Sequence, residues 1–182
     1  MPKGSLITMK LRPILTTVVS LLAFAAFAEA APLAVGAPAP QISAIDQDGK
    51  TVNFKDVYAK GPTLVYFYPK ADTPGCTKQG CSIRDAWEDL KTKGIQVLGV
   101  SEDKADAQKA FAEKYKLPHT LIADNDGKVA GAFGVDMIPG KPLTTRQSFL
   151  VKDGKVVWNM LKATTETHAK DVIAAYEALP KK

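Results

Sequence analysis

The sequence predicts an α/β sandwich, with a mixed central sheet flanked by helices and a β-hairpin near the N-terminus. Three observations predict it. Residues 62–68 and 95–101 are continuous apolar, β-rich runs, which suit strands covered on both faces rather than half-buried ones. Each run is followed by a stretch with helical spacing. Asp48-Gly49 and Asp153-Gly154 lie between short alternating segments and mark hairpins towards the two ends.

The first thirty residues read as an address rather than as fold. Lys3, Lys10 and Arg12 give a basic start, residues 13–28 carry no charge, and Ala28-Glu29-Ala30 supplies a small-x-small cleavage pattern. This is the layout of a secretory signal peptide, and its apolar run is shorter than the roughly 18–20 residues that span a bilayer. Cleavage after Ala30 is the expectation, leaving residues 31–182 as one exported domain, bacterial periplasm being the simplest destination. An uncleaved tether would leave the same domain outside the membrane, and Met9 would also serve as a start, with Lys10 and Arg12 as its basic region. Loss of three basic residues and Glu29 lowers the formal charge from +5 to +3. That charge is too mild to indicate nucleic acid as a partner. There is no internal repeat and no metal-type cysteine cluster.

Residues 31–40 form a Pro/Ala-rich stretch expected to lie over the surface. Residues 41–54 make the first hairpin, and the strand at 62–68 stops at Pro69. One long helix is expected over 75–93, with Ile83, Trp87 and Leu90 as its buried stripe and Gly94 as its end. After the strand at 95–101, Ser101 or Asp103 caps a helix that runs to Lys116 and is broken by Leu117-Pro118. Residues 120–123 form a short strand, and Asn125-Asp126-Gly127 turns the chain. Residues 146–152 and 155–161 make the second hairpin. A final helix covers 165–179, with Ala169, Val172, Ile173 and Tyr176 on one face. Parallel strands joined through helices, with antiparallel strands added by a hairpin, fit a thioredoxin-like fold.

The chemistry concentrates in residues 66–81, where a central strand gives way to a helix, the usual place for a site in an open α/β sheet. Pro74 and Gly75 put Cys76 in the first helical turn, where backbone N–H groups lack intrahelical partners and the dipole favours negative charge. A thiol in such a place is favoured as the thiolate, its reactive form. Cys81 lies a turn and a half further in. In an exported protein a structural disulfide is the first alternative to weigh. Five residues of helix separate Cα atoms by roughly 8.5 Å, against about 4.4–6.8 Å for a disulfide. The two cysteines therefore bond only if the helix start unwinds, which suits a bond that forms and breaks.

With these residues in view, the segment 66–90 resembles the active-site helix of peroxiredoxins, in particular the Q-type subfamily, the bacterioferritin comigratory proteins. Pro69, Thr73 and Cys76 match the family's Pro-x-x-x-Thr-x-x-Cys motif, and Cys81 matches the Q-type resolving cysteine. Arg146, in Arg-Gln-Ser-Phe-Leu-Val, matches the family's arginine on a later strand. The similarity runs from Gly36 to Leu179. Residues 134–145 depart from the usual Q-type wording, and a signal peptide is unusual in the subfamily; both bear on the reductant.

The resemblance implies a thiol peroxidase that needs no metal or organic cofactor. Cys76 would attack the hydroperoxide, Thr73 would orient it, and Arg146 would stabilise the thiolate and the leaving oxygen. Pro69 would shield the pocket, and the backbone N–H groups of Gly75 and Cys76 would complete a polar cradle. Cys81 would close an intramolecular disulfide, reduced by an external thioredoxin-like dithiol. Q-type relatives also imply a monomer.

Each residue also has a plainer reading. Thr73 caps a helix, Arg146 is a surface strand residue, and Pro69 ends a strand. His119 and His168 read as isolated surface residues, Trp87 and Trp158 as packing residues, and Lys70 and Lys78 as solvated lysines near the site. Two rival functions use related folds. A thioredoxin-type dithiol oxidoreductase wants Cys-x-x-Cys, and here Thr73 holds the first position. A copper(I)-delivery protein wants a cysteine spacing one residue shorter and a histidine ligand, for which only His119 and His168 are available.

Overall fold

The computed structural model describes Met1 and residues 31–180, so the signal segment read from residues 2–30 lies outside the described residues. Residues 31–40 run along the domain rather than away from it. Gly36 N–H donates to the Val156 carbonyl and Ala39 N–H to that of Gly154, and Ala39 is buried.

Strands β1 (Ser43–Asp46) and β2 (Thr51–Asn53) form the first hairpin. A five-residue helix, α1 (Phe54–Tyr58), follows; it was not expected from the sequence, and its start is capped by Asn53, whose side chain accepts from Lys55 N–H. Strand β3 (Thr63–Phe67) is buried throughout, as its unbroken apolar run requires. The helix expected over 75–93 is two helices, α2 (Pro74–Asp85) and α3 (Trp87–Thr92). They part at Ala86, whose φ −101 and ψ 14 leave the helical region. The predicted stripe survives the break, with Ile83 and Leu90 fully buried and Trp87 packed at the edge of the same cluster.

Strand β4 (Gln96–Ser101) leads to α4 (Ala105–Tyr115). Neither Ser101 nor Asp103 caps it. Lys104 is the cap residue, and the Asp103 carboxylate instead accepts from Ala71 N–H at 2.6 Å and from the Ser101 hydroxyl at 2.8 Å. Strand β5 (Thr120–Ala123) and the turn at Gly127 follow as expected. The short helix α5 (Lys128–Phe133) then adds an element with no clear sequence signal. Strands β6 (Ser148–Lys152) and β7 (Lys155–Met160) form the second hairpin, with Asp153 and Gly154 both at positive φ, as a tight hairpin turn requires. Helix α6 (His168–Glu177) closes the chain.

The sheet order is β2-β1-β5-β4-β3-β6-β7. β3 pairs in parallel with β4, and β4 with β5, while the two hairpins add antiparallel strands at either side. The pleat of β3 divides the core. Leu64 and Tyr66 face one apolar cluster with α2, α4 and α6; Val65 and Phe67 face the other with α1 and α5. This is the three-layer, thioredoxin-like arrangement read from the sequence. Burial on both faces holds the end of β3, and with it the start of α2, in a fixed place.

Candidate active site

Thr73 opens α2 in an extended conformation and Pro74 occupies the first helical position, where a missing N–H costs nothing. The helical ladder begins with Thr77 N–H on the Thr73 carbonyl at 2.8 Å. The amides of Gly75 and Cys76 are thus among the first-turn donors that have no partner within the helix. The Thr73 hydroxyl does not cap the helix; it donates to the Lys70 carbonyl at 3.0 Å. Cys76 is 2 % exposed, and Cys81 is half-buried further along α2; both are free thiols.

Arg146 reaches this helix start because β6 lies against β3. Ser148 stands opposite Tyr66, and the Gln147 carbonyl accepts from Phe67 N–H, so the residues before β6 pass the C-terminal end of β3 where α2 begins. Arg146 Nη1 donates to Cys76 Sγ at 3.4 Å and to Gln79 Oε1 at 2.7 Å. Gly75 makes room for the guanidinium: a Cβ there would stand 3.1 Å from Arg146 Nη2. Pro69, half-buried, follows directly on β3 and Tyr68.

Both histidines are interior residues, not surface ones. His119 is 3 % exposed and its Nε2 lies 2.8 Å from the Tyr66 hydroxyl. His168 is fully buried, with Nε2 at 2.8 Å from Ser148 Oγ and Nδ1 at 3.4 Å from Gln79 Nε2. Both rings stand edge-on to Tyr66, at centroid distances of 5.7 Å and 5.4 Å. Loss of solvation pushes the His168 imidazole down to about 4 and that of His119 down to about 3. The same burial holds the Tyr66 phenol well above its ordinary range. Among the described residues, Arg146 is the cation placed against the Cys76 sulfur.

A family description, the AhpC/TSA family, matches residues 35–159. Peroxiredoxin Bcp of Escherichia coli is 47% identical over 131 residues, which cover 69% of this chain and 83% of that protein. The chain belongs to the AhpC/TSA family, among its Q/Bcp-type peroxiredoxins. Chloroplastic peroxiredoxin Q of Gentiana triflora is 43% identical over 122 residues, and the match spans only 56% of that relative's length. Among solved structures, peroxidoxin BcpB of Mycobacterium tuberculosis aligns with TM-score 0.75 at 30% identity, covering 81% of this chain and 98% of that one. The bacterioferritin comigratory protein of Xanthomonas campestris aligns with TM-score 0.73 at 27% identity, covering 80% and 98%.

In this peroxiredoxin the structure brings Thr73, Gly75, Cys76 and Arg146 to one helix start, with Pro69 just beyond the strand that leads to it. Cys81 lies on the same helix at a spacing that keeps the sulfurs apart while α2 stays wound. Lys78 is engaged by Glu166 at 2.6 Å on the surface. Trp87 and Trp158 pack against the core, as read. The unusual loop before Arg146 is a small hairpin: Met137 bridges Thr144, and Thr145 N–H donates to the Asp136 carbonyl at 2.7 Å. Sequence reasoning missed Gln79 and His168. The first had a usable signal, because a residue three after Cys76 shares its helix face. The second had none, since its burial depends on how α6 docks.

Proposed function

We propose that this chain is a thiol-dependent peroxidase that reduces hydrogen peroxide and alkyl hydroperoxides. The observation that carries the reading is the Arg146 Nη1 contact, at 3.4 Å, with the sulfur of a buried cysteine in the first turn of α2. The Cys76 thiolate attacks one oxygen of R–O–O–H, the O–O bond breaks, and the sulfur is oxidised to a sulfenic acid. The departing oxygen leaves as alcohol or water, its developing charge met by Arg146 and by the Gly75 and Cys76 amides. The Thr73 proton is committed to Lys70, so its oxygen offers lone pairs to the peroxide O–H. Pro69 limits access to small hydroperoxides.

Cys81 then attacks the sulfenic sulfur and expels water, leaving a Cys76–Cys81 disulfide for an external thioredoxin-like dithiol to reduce. Electrons thus come from thiols throughout, and the scheme calls for no metal. The Xanthomonas campestris relative is described by its alkyl peroxide reduction activity, which supports the substrate class. Family membership weighs against the dithiol oxidoreductase and copper(I) readings. Stopped-flow mixing of reduced protein with hydrogen peroxide or an alkyl hydroperoxide, followed by tryptophan fluorescence, tests it. A rapid signal that persists in Cys81→Ser and vanishes in Cys76→Ser is expected; an equal response from Cys76→Ser would overturn it.

The proposal extends to place: residues 1–30 direct export, cleavage follows Ala30, and the mature domain works as a monomer in the bacterial periplasm. The basic start, uncharged run and Ala28-Glu29-Ala30 support it. Mass measurement of protein from a periplasmic fraction should find Ala31 at the N-terminus, and a chain that retains Met1 in the cytosol would contradict it.

A further inference from the structure

We infer that His168 is a positioning residue: it orients the Gln79 amide that holds Arg146 against Cys76. The inference rests on the peroxidase reading and adds a part to the same site.

Hydrogen-bond direction carries the argument. Arg146 has only donors to offer, so the Gln79 atom 2.7 Å from Nη1 must be the amide oxygen. The Gln79 NH₂ then faces His168, and Nδ1, at 3.4 Å, must present a lone pair to it. The imidazole proton therefore sits on Nε2 and is donated to Ser148 Oγ at 2.8 Å. A chain of fixed direction results: Arg146 donates to the Cys76 sulfur and to Gln79, Gln79 donates to His168, and His168 donates to Ser148. Gln79, Ser148 and His168 are each fully buried, so no water shell competes for these bonds.

The parts come from separate elements. Cys76 and Gln79 lie on α2, Arg146 and Ser148 belong to β6 and its approach, and His168 is the first residue of α6. The start of α6 is pinned to α2 by Ala169 N–H donating to Ser82 Oγ at 3.1 Å, and the His168 ring is held edge-on against Tyr66. Without an acceptor at Nδ1, nothing distinguishes the two ends of the Gln79 amide on the side away from Arg146. Rotation of the amide would then turn an N–H towards the guanidinium.

The test compares His168→Leu with His168→Asn. Asparagine places Oδ1 where the ring carried Nδ1, so it keeps the acceptor for Gln79 and loses the bond to Ser148; leucine keeps bulk and loses both. Peroxide turnover, ultraviolet thiolate absorbance at neutral pH and melting temperature would be read on each full chain. The expected result is a fall in kcat/KM of about 10- to 100-fold in His168→Leu, a smaller thiolate fraction, and recovery of most of both in His168→Asn. Leucine behaving like wild type would overturn the inference. So would an equal fall in both variants that follows their melting temperatures, since that marks a packing role alone. If wild type itself ignored peroxide, the peroxidase reading would fall, and the thiolate absorbance would still decide: a deficit in leucine but not asparagine sustains the coupling, and equal absorbance ends it.

Discussion

One nitrogen of Arg146 serves two acceptors, Cys76 Sγ at 3.4 Å and Gln79 Oε1 at 2.7 Å. The shorter bond fixes the guanidinium, and in the proposed reaction the same group would meet the charge that passes from the sulfur to the departing oxygen. This division of labour makes the arginine a preorganised donor rather than a mobile counter-ion. Lysine would not replace it, because a single ammonium on a flexible stem cannot hold both directions. Arg146→Lys and Arg146→Met should each lower kcat/KM for hydrogen peroxide by about 10²–10³. Stopped-flow peroxide kinetics, with circular dichroism to show an unchanged fold, would check this.

Gly75 gives a subtler test of the same geometry. Its missing Cβ would stand 3.1 Å from Arg146 Nη2 and 3.8 Å from Thr165 Cγ2, and its φ is ordinary for a helix start. Alanine there favours the helix by up to about 1 kcal/mol while forcing the guanidinium to move. Gly75→Ala should therefore keep or raise the melting temperature and yet cut kcat/KM, on the order of tenfold for a displacement of a few tenths of an ångström. Opposite movement of stability and rate is the expected signature.

These two sites also show what sequence could and could not disclose. Arg146 was singled out only by the family resemblance, whereas the placement of Thr73 and Cys76 at a helix start was legible because a strand stop and a Pro-Gly helix start are local features. Asp48-Gly49 and Asp153-Gly154 were legible for the same reason, since a two-residue turn carries its own conformational requirement. Ala86 was not. Nothing in its type breaks a helix, and the interruption follows from packing that keeps Ile83 and Leu90 buried on either side of it. His119 and His168 were misread because polarity argued for the surface. Their partners, Tyr66 and Ser148, come from strands more than a dozen residues away in sequence.

The buried histidines set a pH dependence. Burial disfavours their charged forms, so the folded chain binds protons later than the unfolded one, whose histidines titrate near 6.5. Their contribution to stability is therefore complete above about pH 6.5 and is lost as pH falls towards about 4. Glu102 and Asp124, raised by burial, act in the opposite sense at the acid end. A single variant isolates the histidine part. Denaturant unfolding of wild type should weaken by a few kcal/mol between pH 7 and pH 4.5, and His119→Gln should show a flatter profile over that window.

The proposed disulfide would require the start of α2 to unwind, and α4 binds both the residue two before that start and the far end of the helix. Arg84 Nη1 donates to the Tyr115 carbonyl at 2.9 Å, while the Tyr115 hydroxyl and Lys114 bind Asp72 at 2.6 Å and 2.8 Å. Asp72 itself sits at φ 57, a left-handed conformation that aspartate adopts at some cost. The Asp72 contacts are solvent-exposed and individually small, while the Arg84 bond is part-buried. Tyr115→Phe should accordingly speed the disulfide-forming phase by only a few-fold, on the order of 1 kcal/mol or less, and leave the peroxide-dependent phase unchanged. Double-mixing stopped flow separates the two phases.

The central claim is that Cys76 takes the oxygen and Cys81 resolves it. The most direct measurement adds one equivalent of hydrogen peroxide to reduced wild type, Cys76→Ser and Cys81→Ser, and weighs the intact products. The account predicts loss of two hydrogens in wild type through an intramolecular disulfide, gain of one or more oxygens at Cys76 in Cys81→Ser, and no change in Cys76→Ser. Oxidation of Cys76→Ser at the wild-type rate, or a wild type that remains fully reduced, would contradict it.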